Sequence, residues 1–306
     1  MNLIAKIRQH IEDTNISQSK LAKEIGVTSG LMSSYLNGNY KGNIENVENK
    51  INEYFERFQK LSQEFIEAPE FIETSTSKQI FKALDFSRIA NCINVIYGAS
   101  GVGKTKALQQ YAQQSTNVWL ITASPSRASL SEILYELALE IGIGDAPKRK
   151  GSSARLIRKK LMNTNGLVII DEADHLPYDA LEELRIMQEE TNIGLVLVGN
   201  DKVYNRLRGG SHQAHEFARL WSRIAKRINI QKCKKGDIQA IANAWGLVDD
   251  TEAMTVMSEI ATKGGGLRSL TQTLRLAGMA AKGSGIAITT DLIIAAHNDL
   301  QGTNNV

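Results

Sequence analysis

Apolar residues fall along this chain in two patterns, and where one gives way to the other sets the architecture. Residues 92–97, 117–122, 166–170 and 194–199 are short runs rich in β-branched side chains, apolar at successive positions. Strands read this way when both faces of their sheet are covered. Between them, 105–111, 130–141 and 181–188 place apolar residues at helical spacing. Strands alternating with helices predict a parallel α/β sheet in three layers, with a further strand expected at 228–230. Beyond residue 236 only helical periodicity remains, at 237–244, 251–263, 267–282 and 290–300, with glycine breaks. That tail predicts a small all-helical lid.

The first sixty residues follow a different plan. Two short helices, 18–25 and 29–36, flank Gly26, Val27 and Thr28. Leu21, Ile25, Val27, Met32 and Leu36 would share a core, small Ala22 permits a close crossing, Gly26 turns the chain, and Thr28 or Ser29 caps the second helix. With the closing Leu36, Asn37 and Gly38, the segment resembles the helix-turn-helix of phage repressors. The resemblance implies that the second helix enters the major groove, with Thr28, Ser29, Gly30, Ser33 and Tyr35 toward DNA. None of these is an Arg or Gln able to read a base with two hydrogen bonds, so contact of low sequence specificity is expected. A helical bundle used for protein contacts is the alternative. Residues 61–78, with Pro69 and the polar run 73–77, lack periodicity and read as a linker. The expected organisation is therefore 1–60 DNA-binding domain, 61–78 linker, 79–235 α/β core and 236–306 lid.

The chemistry is concentrated at the ends of the predicted strands. Gly98, Ala99, Ser100, Gly101, Val102, Gly103, Lys104 and Thr105 form a complete G-x-x-x-x-G-K-[ST] phosphate loop between a strand and a helix, the context that motif requires. Its backbone N–H groups and the following helix N-terminus suit the phosphates of ATP, which Lys106 also borders. Lys104 would reach the β and γ phosphates, and the Thr105 hydroxyl would bind Mg²⁺. About 66 residues later a buried strand ends in Asp171 and Glu172. Asp171 suits the Mg²⁺ shell and Glu172 the polarising of the attacking water, although the pair could also cap a helix. Asn200, ending the strand at 194–199, is placed to bond the γ-phosphate or that water, or simply to close a turn.

A phosphate-loop core followed by a helical lid resembles the AAA+ ATPases. That resemblance implies a finger arginine, supplied to a neighbouring subunit, before the strand at 228–230; Arg223 is the first choice and Arg219 the second. It also implies that Arg268, after Gly265 and Gly266, contacts the γ-phosphate from the lid. The literal Asp171-Glu172-Ala173-Asp174 of a DEAD-type helicase does not fit, because the helical tail leaves no room for a second core. Taken with the repressor-like segment, the stretch Glu182-Glu183-Leu184-Arg185 and residues 217–224, the chain resembles the Mu B-type transposition proteins over essentially its whole length. The resemblance implies an ATPase that binds duplex DNA non-specifically, self-associates into a helical filament, delivers target DNA to a DDE transposase and stimulates it, with hydrolysis driving release. A helicase-loader ATPase and a nucleotide-gated helix-turn-helix regulator are the alternatives.

Charge sharpens this picture. The net charge is only +3, but residues 202–235 hold ten Lys or Arg (among them Lys202, Arg206, Arg208, Lys226 and Arg227) against one acid, Glu216. Lys148, Arg149 and Lys150 with Arg155, Arg158, Lys159 and Lys160 make a second basic block, so both are expected to meet DNA phosphates. Cys92 and Cys233 lack metal spacing and read as structural thiols of a reducing compartment. No run approaches the ~20 apolar residues of a membrane span, and a cytoplasmic protein is expected.

Overall fold

The computed structural model describes residues 3–14, 16–64, 71–147, 149–208 and 214–302. By its contacts the chain divides into two units, 1–67 with 278–287 and 68–277 with 288–306.

In the first unit, α1 (Leu3–Thr14), α2 (Gln18–Ile25), α3 (Ser29–Leu36) and α4 (Ile44–Glu64) surround one apolar cluster that includes Ile7, Leu21, Met32 and Ile51. The central pair matches the expected boundaries because its stop signals are local. Ser17 accepts from the N–H of Lys20, Gly26 adopts φ 80°, and Thr28 accepts from the N–H of Leu31, satisfying orphan donors and the left-handed cap together. Tyr35 corrects the expectation that it faces DNA. It is buried in the cluster, and its hydroxyl donates to Glu48 Oε1 at 2.9 Å. Met32, Tyr35 and Leu36 stand at i, i+3 and i+4, one helix face, and that face is the inner one.

The second unit begins with α5 (Ser75–Ile89), followed by β1 (Ile93–Gly98), α6 (Lys104–Gln114), β2 (Val118–Thr122), α7 (Leu130–Glu140) and α8 (Lys150–Leu161). Then come β3 (Leu167–Asp171), α9 (Tyr178–Thr191), β4 (Gly194–Gly199), α10 (Asp201–Arg208), α11 (Ala214–Arg223) and β5 (Ile224–Ile230). The strands form one parallel sheet in the order β2-β3-β4-β1-β5. Val95, Leu197, Ile170 and Ile121 align across four strands and pack in the cluster that holds Leu137 of α7 and Leu184 of α9. The residues adjoining them in the chain, Ile96, Val198, Ile169 and Val196, point to the opposite face, against Leu84 of α5 and Leu108 of α6. Both faces are thus covered, which explains why these strands are apolar at nearly every position, with Asn94 of β1 buried and bonded to the Ala83 carbonyl.

Two boundaries differ from the sequence reading. Residues 75–78, read as linker, open α5, with Thr74 and Ser77 exchanging hydrogen bonds in a capping box. Capping side chains and loop side chains are the same residue types, so the polar run misleads. β5 starts at Ile224, four residues early, because an edge strand tolerates the exposed Ala225, Lys226 and Arg227, which hide its alternation.

The lid comprises α12 (Lys235–Ala244), α13 (Thr251–Thr262), α14 (Gly266–Gly283) and α15 (Thr290–Gln301), around Ile238, Met257, Leu270, Leu274 and Ile293. No described helix is long and apolar enough to cross a membrane.

Asp237 joins lid to core. Its carboxylate is fully buried and accepts from Ser75 Oγ at 2.7 Å, Thr76 N at 2.8 Å, Thr76 Oγ1 at 2.6 Å and Lys234 N at 2.9 Å. Burial pushes this carboxyl up, but donors from Thr76, Ser75 and Lys234 together outweigh it and hold it below the usual aspartate range. Removing the acceptor strands buried donors, so Asp237→Ala is expected to lower unfolding stability by about 2–4 kcal/mol in urea titrations at neutral pH. A depressed carboxyl stabilises the fold above its unfolded pKa and ceases to as pH falls through its folded value. The difference between wild type and Asp237→Ala should therefore shrink in acid, and a constant difference would mean that the charge is not what stabilises the junction.

Candidate nucleotide site

The phosphate loop leaves β1 at Gly98 and enters α6 at Lys104, at the carboxyl edge of the sheet where ligands of such folds gather. Gly101 has φ 79°, and a Cβ there would stand 2.0 Å from the Gly265 carbonyl oxygen of the lid. Only glycine fits between loop and lid. The Arg268 N–H donates to the Gly101 carbonyl at 3.3 Å, so the start of α14 rests directly on the loop.

Lys104 Nζ donates to the carbonyls of Gly98 at 3.0 Å and Ala99 at 2.8 Å. Burial lowers its pKa, and the carboxylates of Asp171 and Glu172 oppose that. Thr105 Oγ1 donates to Asp171 Oδ2 at 2.7 Å, bringing together two elements far apart in sequence. Burial raises the Asp171 pKa against the hydrogen bonds from Thr105 and Glu172 N. A hydroxyl and a carboxylate oxygen converging beside phosphate-binding N–H groups are the hard oxygen donors that Mg²⁺ takes, so the residues present fit that ion.

Glu172 follows in a left-handed conformation, φ 54° and ψ 37°. For a side chain with a Cβ this costs on the order of 1 kcal/mol or more and marks a position held by its surroundings. Burial, then the charges of Asp171 and Asp174, push its carboxyl up. The cleft it borders measures about 480 Å³ and is also lined by Lys104, Thr105, Lys106 and Arg268.

Some lining residues escaped the sequence reading. Thr271, Gln272 and Arg275 join Arg268 on one face of α14, and their spacing of three, four and seven was a readable signal. Phe71 and Ile72 close another wall, and nothing in the polar segment around them marked them.

Asn200 does not line the cleft. Its Nδ2 donates to Asp174 Oδ2 at 3.0 Å and its Oδ1 accepts from Lys202 N at 2.8 Å, so it ties the turn after β3 to the start of α10. Arg223 and Arg219 are exposed on α11 and line no part of their own chain's cleft. Arg223 Nε pairs with Glu189 at 3.1 Å.

The proposed DNA contacts divide. Thr28 spends its hydroxyl on the cap of α3, Ser29 is exposed and Ser33 half-buried. Lys148 lies outside the described residues, whereas Arg149, Lys150, Lys202 and Arg208 are exposed. Arg158 is neutralised by Glu183 and Glu190, and Arg206 donates to the carbonyls of Asp174 and Leu176. Neither is free for a phosphate.

A family model described as "Mu B transposition protein, C terminal" matches residues 222–300, and one described as "AAA domain" matches 91–207. The Mu-like prophage FluMu DNA transposition protein B of Haemophilus influenzae is 63% identical over 273 residues, 89% of this chain and 95% of its own length. The ATP-dependent target DNA activator B of Escherichia phage Mu is 45% identical over 296 residues, 97% of this chain and 94% of its own. The chain belongs to the Mu B transposition protein family. The family's core here is an AAA+ ATPase fold. The ORC2 protein of Aeropyrum pernix, solved with ADPNP and ADP, superposes with a TM-score of 0.56 at 20% identity, covering 78% of this chain and 71% of that one. Cdc6p of Pyrobaculum aerophilum gives 0.53 at 17% identity, covering 74% and 67%.

For this Mu B family member, Lys104→Ala is expected to weaken ATP binding at least tenfold by fluorescent-nucleotide titration. Glu172→Gln should bind ATP within about threefold of wild type yet hydrolyse it at least 100-fold more slowly. Normal turnover in Glu172→Gln would assign the water to another group.

Proposed function

We propose that this chain is an ATP-dependent target-DNA activator. It binds Mg²⁺-ATP, self-associates as a helical filament on double-stranded DNA without reading sequence, and presents that DNA to a DDE transposase, which it stimulates. Hydrolysis then releases the DNA. The setting is the cytoplasm of the bacterial host. The observation that carries this reading is the near-full-length likeness to the phage Mu activator, whose name states ATP dependence and target DNA.

The site's chemistry supports the nucleotide steps. Backbone N–H groups of 100–103 and Lys104 would hold the phosphates, and Thr105 and Asp171 would hold Mg²⁺, which would supply positive charge against the charge developing on the phosphate oxygens. Glu172 orients and polarises water, while Arg268 reaches the phosphates from the lid. Arg223, with Arg219 as second choice, completes the site of a neighbouring subunit, so turnover requires assembly. The exposed Arg149, Lys150, Lys202 and Arg208 fit a surface that tracks phosphates through charge alone.

Electron microscopy of the protein on non-specific linear duplex DNA tests the reading. Continuous coating with Mg²⁺-ATP or a non-hydrolysable analogue, and none with ADP, is expected. Isolated rings or single bound particles in the triphosphate states would overturn it in favour of a loader or a nucleotide-gated regulator. In the same preparation Arg223→Ala should coat DNA but lose at least 100-fold in DNA-stimulated hydrolysis, and an unaffected rate would remove Arg223 as the finger.

A further inference from the structure

Helix α10 faces two ways. Lys202 and Arg208 are exposed, but Arg206 between them is half-buried and turns back toward the segment after β3. Its Nη1 donates to the Asp174 carbonyl at 2.6 Å and its Nη2 to the Leu176 carbonyl at 2.8 Å. The guanidinium also lies over the Phe217 ring of α11, 6.0 Å from its centre. Asn200 adds a third donor to the same turn through Asp174 Oδ2. The turn opens at Glu172, whose N–H bonds Asp171 Oδ1 and whose carbonyl accepts from His175 N. Among the described residues no hydrogen bond fixes the Glu172 carboxylate itself. Its direction therefore depends on the backbone, and that backbone is in a conformation a glutamate does not favour.

We propose that Arg206 is a positioning residue for ATP hydrolysis: by clamping the carbonyls of Asp174 and Leu176 it holds Glu172 in its left-handed conformation at the edge of the cleft. The proposal rests on the reading of Glu172 as the group that polarises the attacking water. An arginine is required because one planar guanidinium serves two carbonyls at once, whereas a lysine ammonium at the end of a flexible stem serves one with less directional control. The clamp also accounts for a basic residue in a basic segment whose guanidinium turns inward.

The full-length protein with duplex DNA and Mg²⁺-ATP tests this in a double-mutant cycle. Arg206→Met keeps the apolar stem beside Phe217 and removes both donors. It is expected to lower kcat at least tenfold, with KM for ATP and affinity for DNA within about twofold of wild type. Arg206→Lys should regain part of the loss. In the Glu172→Gln background, Arg206→Met should cost less than about twofold further, since the group it positions is already gone. Amide hydrogen exchange in Arg206→Met should rise across 172–177 while β3 stays protected. A kcat unchanged at saturating DNA with weakened DNA affinity would show a phosphate contact and overturn the proposal. So would the full tenfold loss in the Glu172→Gln background. Wild-type turnover in Glu172→Gln alone is a separate result, which overturns the role of Glu172 whatever Arg206 does.

Discussion

The hydrogen bond from Thr105 to Asp171, 2.7 Å long, is the contact on which the site depends, and it is a product of sheet register. β1 and β3 are not neighbours; β4 lies between them. Their ends meet at one edge because Val95, Leu197 and Ile170 align across the three strands. A slip of one residue would turn Asp171 to the other face and leave Thr105 without its partner. The apolar rows on both faces make that slip costly, since each would exchange one packed layer for the other. The core thus stabilises the sheet and also fixes where the acidic group stands. Burial pushes Lys104 toward its neutral form and Asp171 toward its protonated form. Each is placed where a phosphate or a cation would favour its charged form.

A second constraint is the seating of the lid. A Cβ on Gly101 would strike the Gly265 carbonyl, one on Gly266 would stand 3.1 Å from the Gly101 carbonyl oxygen, and Asp237 pins the first lid helix to the start of α5. Thr74 and Ser77, the cap of α5, belong to the cleft wall, as does Arg268 of α14. Loop, lid and α5 cap therefore meet around one cleft. Lid and phosphate loop are joined by a backbone hydrogen bond, and lid and α5 by one buried carboxylate.

Sequence patterns carried the parts of the fold whose signals are local. The phosphate loop, the acids after β3 and the caps of α2 and α3 are read directly from residue types at fixed spacing. What escaped depends on partners distant in the chain. Thr74 to Ser77 look like linker until Asp237, some 160 residues away, supplies their acceptor. Arg206 looks like one more cation in a basic run, and only the fold brings it to the carbonyls of Asp174 and Leu176. Tyr35 differs from these, since its spacing from Met32 places it on the buried face. The count of basic residues overstated the surface free for DNA, because Arg158, Arg206 and Arg227 are engaged by glutamates, carbonyls and the ring of Trp221.

The central claim is that Thr105 and Asp171 form one cation site that makes nucleotide binding depend on Mg²⁺. Titration of ATP with and without Mg²⁺, into wild type, Thr105→Ala and Asp171→Asn, measures it most directly. The account predicts that Mg²⁺ tightens ATP binding to wild type by at least tenfold and changes it by less than about twofold in either variant, each of which should melt within a few degrees of wild type. If Mg²⁺ tightened binding equally in all three proteins, the pair would be a structural hydrogen bond and the cation would be held elsewhere.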